Sequence, residues 1–216
     1  MAKAVIFDLD GTLLDTLEDL ADSANEALVG GGLEAHPVEA YRTFVGEGMG
    51  VLMERILPEG RKTAAEVEGL LVRYRAAYDR RWKAKTRAYP GVEELLLGLA
   101  GRGIPMAVLS NKPQAYTEIC MRHFLGHHRF EVIYGQRDTV PRKPDPAGAV
   151  EIAELLGLEP GEILFVGDTA TDMETAVAAG MVPVGVRWGF RSAEELLAHG
   201  AVHLVDTAGE ILALFD

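Results

Sequence analysis

The stretch Val5-Ile6-Phe7-Asp8-Leu9-Asp10-Gly11-Thr12 runs from three apolar, β-favouring residues straight into an acid–x–acid–glycine turn. The apolar run shows no alternation, which predicts a strand covered on both faces. Working outward, comparable runs occur at residues 106–110, 131–134, 163–167, 182–186 and 202–205. Helical stretches separate them and carry their own stop signals, Gly157 after one and Gly180 after another. Ser192 with Glu195, and Thr207 with Glu210, fit the pattern of a capping box that opens a helix. Strand–helix alternation of this kind predicts an α/β fold, a doubly wound parallel sheet with a Rossmann-like plan.

One region interrupts the alternation. Residues 14–87 hold no convincing strand and read as helices over 16–29, 38–45, 49–57 and 62–83. The reading is an all-helical insert, a small cap domain at 14–87, with the core formed by 1–13 and 88–216. Gly46-Glu47-Gly48-Met49 lies within the insert, and its small residues suit either a mobile tip or a glycine-rich turn.

Composition narrows the classes of function. The chain has 216 residues, 48% of them hydrophobic, enough for a substantial core. Its formal net charge of −12 argues against nucleic acid or an anionic membrane as partner, since both attract basic surfaces. No apolar run approaches the ~18 residues of a membrane span, and the amino-terminal run lacks the pattern of a signal peptide. The expectation is a cytoplasmic protein, monomer or homodimer. The single cysteine, Cys120, allows no intrachain disulfide and reads as a buried helix residue. No histidine has metal-ligand spacing, and His127-His128 reads as an exposed helix end.

The candidate chemistry lies at the strand ends, where open α/β sheets bind ligands. Asp8 and Asp10 are two apart in extended chain and so face one way. Two such carboxylates repel unless they share a proton or a cation, and magnesium prefers oxygen ligands. A second pair, Asp168 and Asp172, follows another apolar run. Four converging acids demand a cation, because burying them unneutralised costs too much. Ser110-Asn111 ends a third strand, with Pro113 expected early in the following helix, whose free N–H groups suit an anion. Arg142-Lys143-Pro144 places a cation in a proline-bound loop.

These four segments, in this order, resemble the haloacid dehalogenase superfamily, and the phosphoglycolate phosphatase-like branch in particular. The resemblance implies a phosphatase acting on a small phosphorylated metabolite, with the helical insert in the place of the family's small cap domain, either a lid or a rigid subdomain. It implies that Asp8 is the nucleophile, Asp10 the acid and base, and Lys143 the charge neutraliser. It further implies that Gly11, Thr12, Ser110, Asn111 and Lys143 hold the phosphoryl group. Mg2+ is expected on Asp8, the backbone carbonyl of Asp10, Asp168 and Asp172. Dehalogenating members lack an acid at the position of Asp10, and the phosphomutase branch carries a Ser-Arg pair where this chain has Gly46-Glu47-Gly48. Pyrophosphate hydrolysis, and a binding protein without catalysis, are the remaining alternatives.

Overall fold

The computed structural model describes residues 2–216. They form two units, one made of residues 2–14 with 88–216 and one of residues 15–87.

The first unit holds β1 (Ala4–Phe7) and then, after the helical unit, α5 (Val92–Gly101), β4 (Met106–Pro113) and α6 (Gln114–Phe124). It continues through β5 (Val132–Gln136), α7 (Ala147–Leu156), β6 (Ile163–Gly167) and α8 (Ala170–Ala179). β7 (Val182–Val186), α9 (Ala193–Ala198), β8 (His203–Val205) and α10 (Ala208–Ala213) complete it. Six strands pair in the order β5-β4-β1-β6-β7-β8, and all five pairings are parallel. The expected α/β sheet is present, with each predicted strand in it.

The four residues of β1 have no exposed surface at all. Burying side chains such as Ile6 and Phe7 contributes about 1.5–3 kcal/mol each. Ile6, Leu109 and Phe165 cluster with Ile152 of α7 and with Ala176 and Met181 from α8 and its exit. This explains why the central strands read as unbroken apolar runs. Gly157 and Gly180 end α7 and α8 in the left-handed conformation, with φ of 66° and 72°. No helix among the described residues is long and apolar enough to cross a membrane.

The second unit consists of α1 (Leu17–Gly30), α2 (Tyr41–Phe44), α3 (Met49–Ile56) and α4 (Ala64–Arg81). Leu28, Tyr41, Met53, Ile56, Tyr74 and Tyr78 are its largest fully buried side chains. Tyr74 and Tyr78 stack at 5.8 Å along α4. Gly46 and Gly48 both take positive φ, 115° and 90°, and Glu47 between them pairs with Arg55 of α3. Asp19 of α1 is buried and accepts from the backbone N–H groups of Lys85 and Thr86 and from the Thr86 hydroxyl. That carboxylate fastens the returning chain to α1.

Four local expectations need correction. Two short strands, β2 (Leu14–Asp15) and β3 (Arg87–Ala88), pair where the chain leaves and re-enters the first unit. Two residues are too few to give a periodic signal. Pro113 precedes α6 with an extended ψ of 141°, so it closes β4 rather than opening the helix. Thr207 donates its hydroxyl to Glu210 and caps no backbone N–H, so no full capping box forms there. His127 and His128 lie beyond the end of α6, and the side chain of His128 is buried.

Candidate active site

The chain runs from β1 through β4 to β5 on one side of the sheet, and from β6 through β7 to β8 on the other. The loops after β1 and β6 therefore leave in opposite directions. A crevice opens at such a switch point. Phe7 and Val166 are register partners, and the N–H of Asp8 donates to the carbonyl of Val166 at 2.9 Å. Asp8 thus stands at the carboxyl end of β1 while Asp168 follows the end of β6.

Three acids meet there. Ligand oxygens of Asp8, Asp168 and Asp172 lie within 4.8 Å of one another, and all three residues are buried. Lys143 is buried among them and donates to Asp8 Oδ1 at 2.9 Å, Asp172 Oδ1 at 2.6 Å and the carbonyl of Leu109 at 2.8 Å. Asn111 secures the lysine loop by donating its amide to the Lys143 carbonyl at 3.0 Å. The cation that the sequence placed in a proline-bound loop reaches the acids, and its Lys143–Pro144 peptide bond is cis.

Asp172 is the third residue of α8 and has both oxygens engaged. Its Oδ2 accepts from the N–H groups of Asp168 and Thr169 and from the Thr169 hydroxyl, completing a capping box. Its Oδ1 faces Lys143. Asp168 accepts from the Thr12 hydroxyl at 3.1 Å and from the Phe190 N–H at 2.8 Å. Gly11, at φ 91°, passes so close to Asp168 that an added Cβ would lie 2.3 Å from its Oδ2. Gly189 also passes close, and a Cβ there would fall 2.2 Å from that of Asp168.

The electrostatics follow from burial. Burial pushes the Asp8 carboxyl up to about 7, with Lys143 pulling it down and Asp172 and Asp10 adding repulsion. Asp168 is raised well above the usual carboxylate range by burial and by the charges of Asp172 and Asp8. For Lys143, burial pulls the ammonium down, but Asp172 and Asp8 outweigh it and hold the charge in place. With all three acids ionised, the cluster would carry more negative charge than one lysine neutralises. A divalent cation fits it.

Asp10 stands apart from that trio. Lys112, buried at the end of β4, grips both of its carboxylate oxygens at 2.9 Å. Ser110 is also buried, and its hydroxyl accepts from the Lys112 N–H at 3.3 Å. Sequence reasoning singled out Ser110 and Asn111 but passed over Lys112, the next residue. Its place directly after Ser110 and Asn111, at the carboxyl end of a strand where open α/β sheets bind ligands, is the signal that finds it.

A family model for haloacid dehalogenase-like hydrolases matches residues 5–186. The chain belongs to the haloacid dehalogenase-like hydrolases. Among its relatives in this family, it is 36% identical to a phosphoglycolate phosphatase of Haemophilus influenzae over 87% of each chain. It is 38% identical to a phosphoglycolate phosphatase of Mesorhizobium japonicum, over 86% of this chain and 83% of that one. The crystal structure of a predicted phosphoglycolate phosphatase from Haemophilus somnus superposes with a TM-score of 0.92 at 30% identity, covering 100% of this chain and 98% of that one. In this haloacid dehalogenase-like hydrolase of the phosphoglycolate phosphatase-like branch, Asp8 and Asp168 follow the ends of β1 and β6, Ser110 lies in β4, Asp172 is in α8 and Lys143 is in the loop before α7.

Proposed function

We propose that this hydrolase is a magnesium-dependent phosphatase of small phosphomonoesters, with phosphoglycolate the leading substrate, and that it works through a phosphorylated Asp8. The observation that carries the reading is the Lys143 ammonium seated between Asp8 and Asp172 beside a third buried acid, Asp168. The relatives named as phosphoglycolate phosphatases support the substrate.

Asp8, Asp168 and the backbone carbonyl of Asp10 would hold Mg2+, with Asp172 supporting them directly or through water. When bound, the ion neutralises charge on the cluster and on the phosphoryl oxygens. Asp8 is the nucleophile, and Lys143 orients its carboxylate and offsets charge as phosphorus is approached. One Asp8 oxygen bonds to phosphorus as the ester P–O bond breaks, and Asp10 gives its proton to the departing oxygen. Water then attacks the aspartyl-phosphate, Asp10 takes back a proton, and inorganic phosphate leaves with Asp8 restored. A protonated Asp10 still has one oxygen to accept from Lys112 while the other carries the proton. Thr12, Ser110, Lys143 and backbone N–H groups near Gly11 and Asn111 hold the phosphoryl oxygens.

The test is a panel of small phosphomonoesters, with inorganic pyrophosphate and β-glucose 1-phosphate included, assayed for phosphate release with and without Mg2+. The reading expects magnesium-dependent release, highest with phosphoglycolate, and none from Asp8→Asn. Isomerisation of the sugar phosphate without phosphate release would replace it with a mutase. Silence across the panel would leave only binding.

A further inference from the structure

Glu93 lies in the first turn of α5, while His127 and His128 follow the end of α6. Glu93 is distant in sequence from the two histidines, yet the three side chains converge. His127 Nε2 is 2.9 and 3.1 Å from the two Glu93 oxygens, and His128 Nε2 is 2.9 Å from Oε2. The ring centroids of the histidines are 4.3 Å apart. One ligand atom from each residue lies within 4.8 Å of the others.

The exposure is graded in a useful way. The His128 side chain is 3% exposed, against 46% for Glu93 and 60% for His127. One donor is buried in the fold, and two are reachable from solvent. Two imidazole nitrogens that share one carboxylate form a donor set of two nitrogens and one oxygen.

We propose that Glu93, His127 and His128 form a binding site for a divalent transition-metal ion of the Zn2+ or Ni2+ type, sharing no residue with the Asp8–Asp168–Asp172 cluster. Imidazole nitrogen suits these ions, whereas Mg2+ takes oxygen ligands. Bonds of about 2.0–2.2 Å bring tetrahedral donors to roughly 3.3 Å from one another. The present spacing closes to that by rotating the exposed Glu93 and His127 side chains around the buried His128. A neutral imidazole carries its proton on Nδ1 and offers the Nε2 lone pair, so the metal takes the place of the N–H that now points at Glu93. Three protein ligands leave the remaining position to water. Binding ties the start of α5 to the turn after α6, so the ion stabilises the folded chain by linkage.

The experiment uses the full-length protein, stripped with chelator and returned to saturating Mg2+. Zn2+ uptake is followed by calorimetry, Co2+ uptake by its visible spectrum, and melting temperature is measured with and without Zn2+. The wild type and Asp168→Asn should share a transition-metal site that raises the melting temperature. His127→Ala and Glu93→Gln should weaken that site by about tenfold or more and abolish the rise. His127 is exposed, so its removal leaves the fold intact, and magnesium-dependent turnover should persist in that variant. Equal Zn2+ uptake by wild type and His127→Ala, loss of all uptake in Asp168→Asn, or no uptake by any protein would each overturn the proposal.

Discussion

A lysine ammonium that grips both oxygens of one carboxylate decides where that carboxylate can go. Lys112 does this to Asp10, at 2.9 Å on each oxygen, from a nearly fully buried position. In the proposed chemistry Asp10 handles the protons of both steps, and misplacing an acid–base group typically costs 10²–10⁴ in rate. Lys112→Met should therefore lower kcat/KM about 10- to 100-fold, with partial recovery in Lys112→Arg. Steady-state kinetics on phosphoglycolate checks this, and an unchanged rate would make the pair merely structural. Gly11→Ala is a second probe, since φ of 91° and an Asp168 oxygen 2.3 Å from the added carbon leave no room. That variant should fold yet lose most of its Mg2+ affinity by calorimetry, because Asp168 must shift. At this scale the acids were legible because Asp8 and Asp168 each follow an apolar run, with a second acid two or four residues on. Gly189 and Phe190 were not, since they reach Asp168 from a loop 22 residues away that carries no motif.

Single elements are held by equally particular contacts. Asp19 sits in the first turn of α1 and fastens Lys85 and Thr86, which lie 66 and 67 residues further on. Removing a buried acceptor strands its donors, at about 1–3 kcal/mol for each group left unpaired. Asp19→Ala should thus strip hydrogen-exchange protection from the Lys85 and Thr86 amides while leaving β1 and β6 protected. Unchanged protection would show that the helical unit is closed by its tyrosine core alone. The helices themselves were legible from their apolar spacing and stop glycines. Strands β2 and β3 were not, because two residues cannot display a period. Asp19 was hidden for another reason: an acid in a first helical turn is ordinarily a partner of the helix dipole.

For the whole molecule, the decisive quantity is the charge buried at the switch point. Asp8 titrates near 3.8 when exposed and near 7 in the fold, and Asp168 is raised as well. Between those values the folded chain binds more protons than the unfolded one. Stability from this source is present below about pH 4 and is lost as pH rises through about 7. The melting temperature of the chelated protein should therefore fall from pH 5 to pH 7.5. Asp8→Asn should fall less steeply, and Mg2+ should restore the wild type most at the higher pH. Parallel slopes for the two proteins would contradict it. The sheet order that creates this crevice was only partly legible. Unbroken apolar runs announce parallel strands, but β1 becomes central only because it pairs with both β4 and β6, and residues 4–7 carry no mark of either partner.

The central claim is that Asp8 takes the phosphoryl group. Rapid acid quench during turnover with Mg2+ and phosphoglycolate, followed by peptide mass spectrometry, addresses it most directly. The account predicts a phosphoryl group on the peptide containing Asp8, absent without Mg2+ and absent in Asp8→Asn. Sustained turnover by Asp8→Asn, or a phosphoryl group found on another residue, would contradict it.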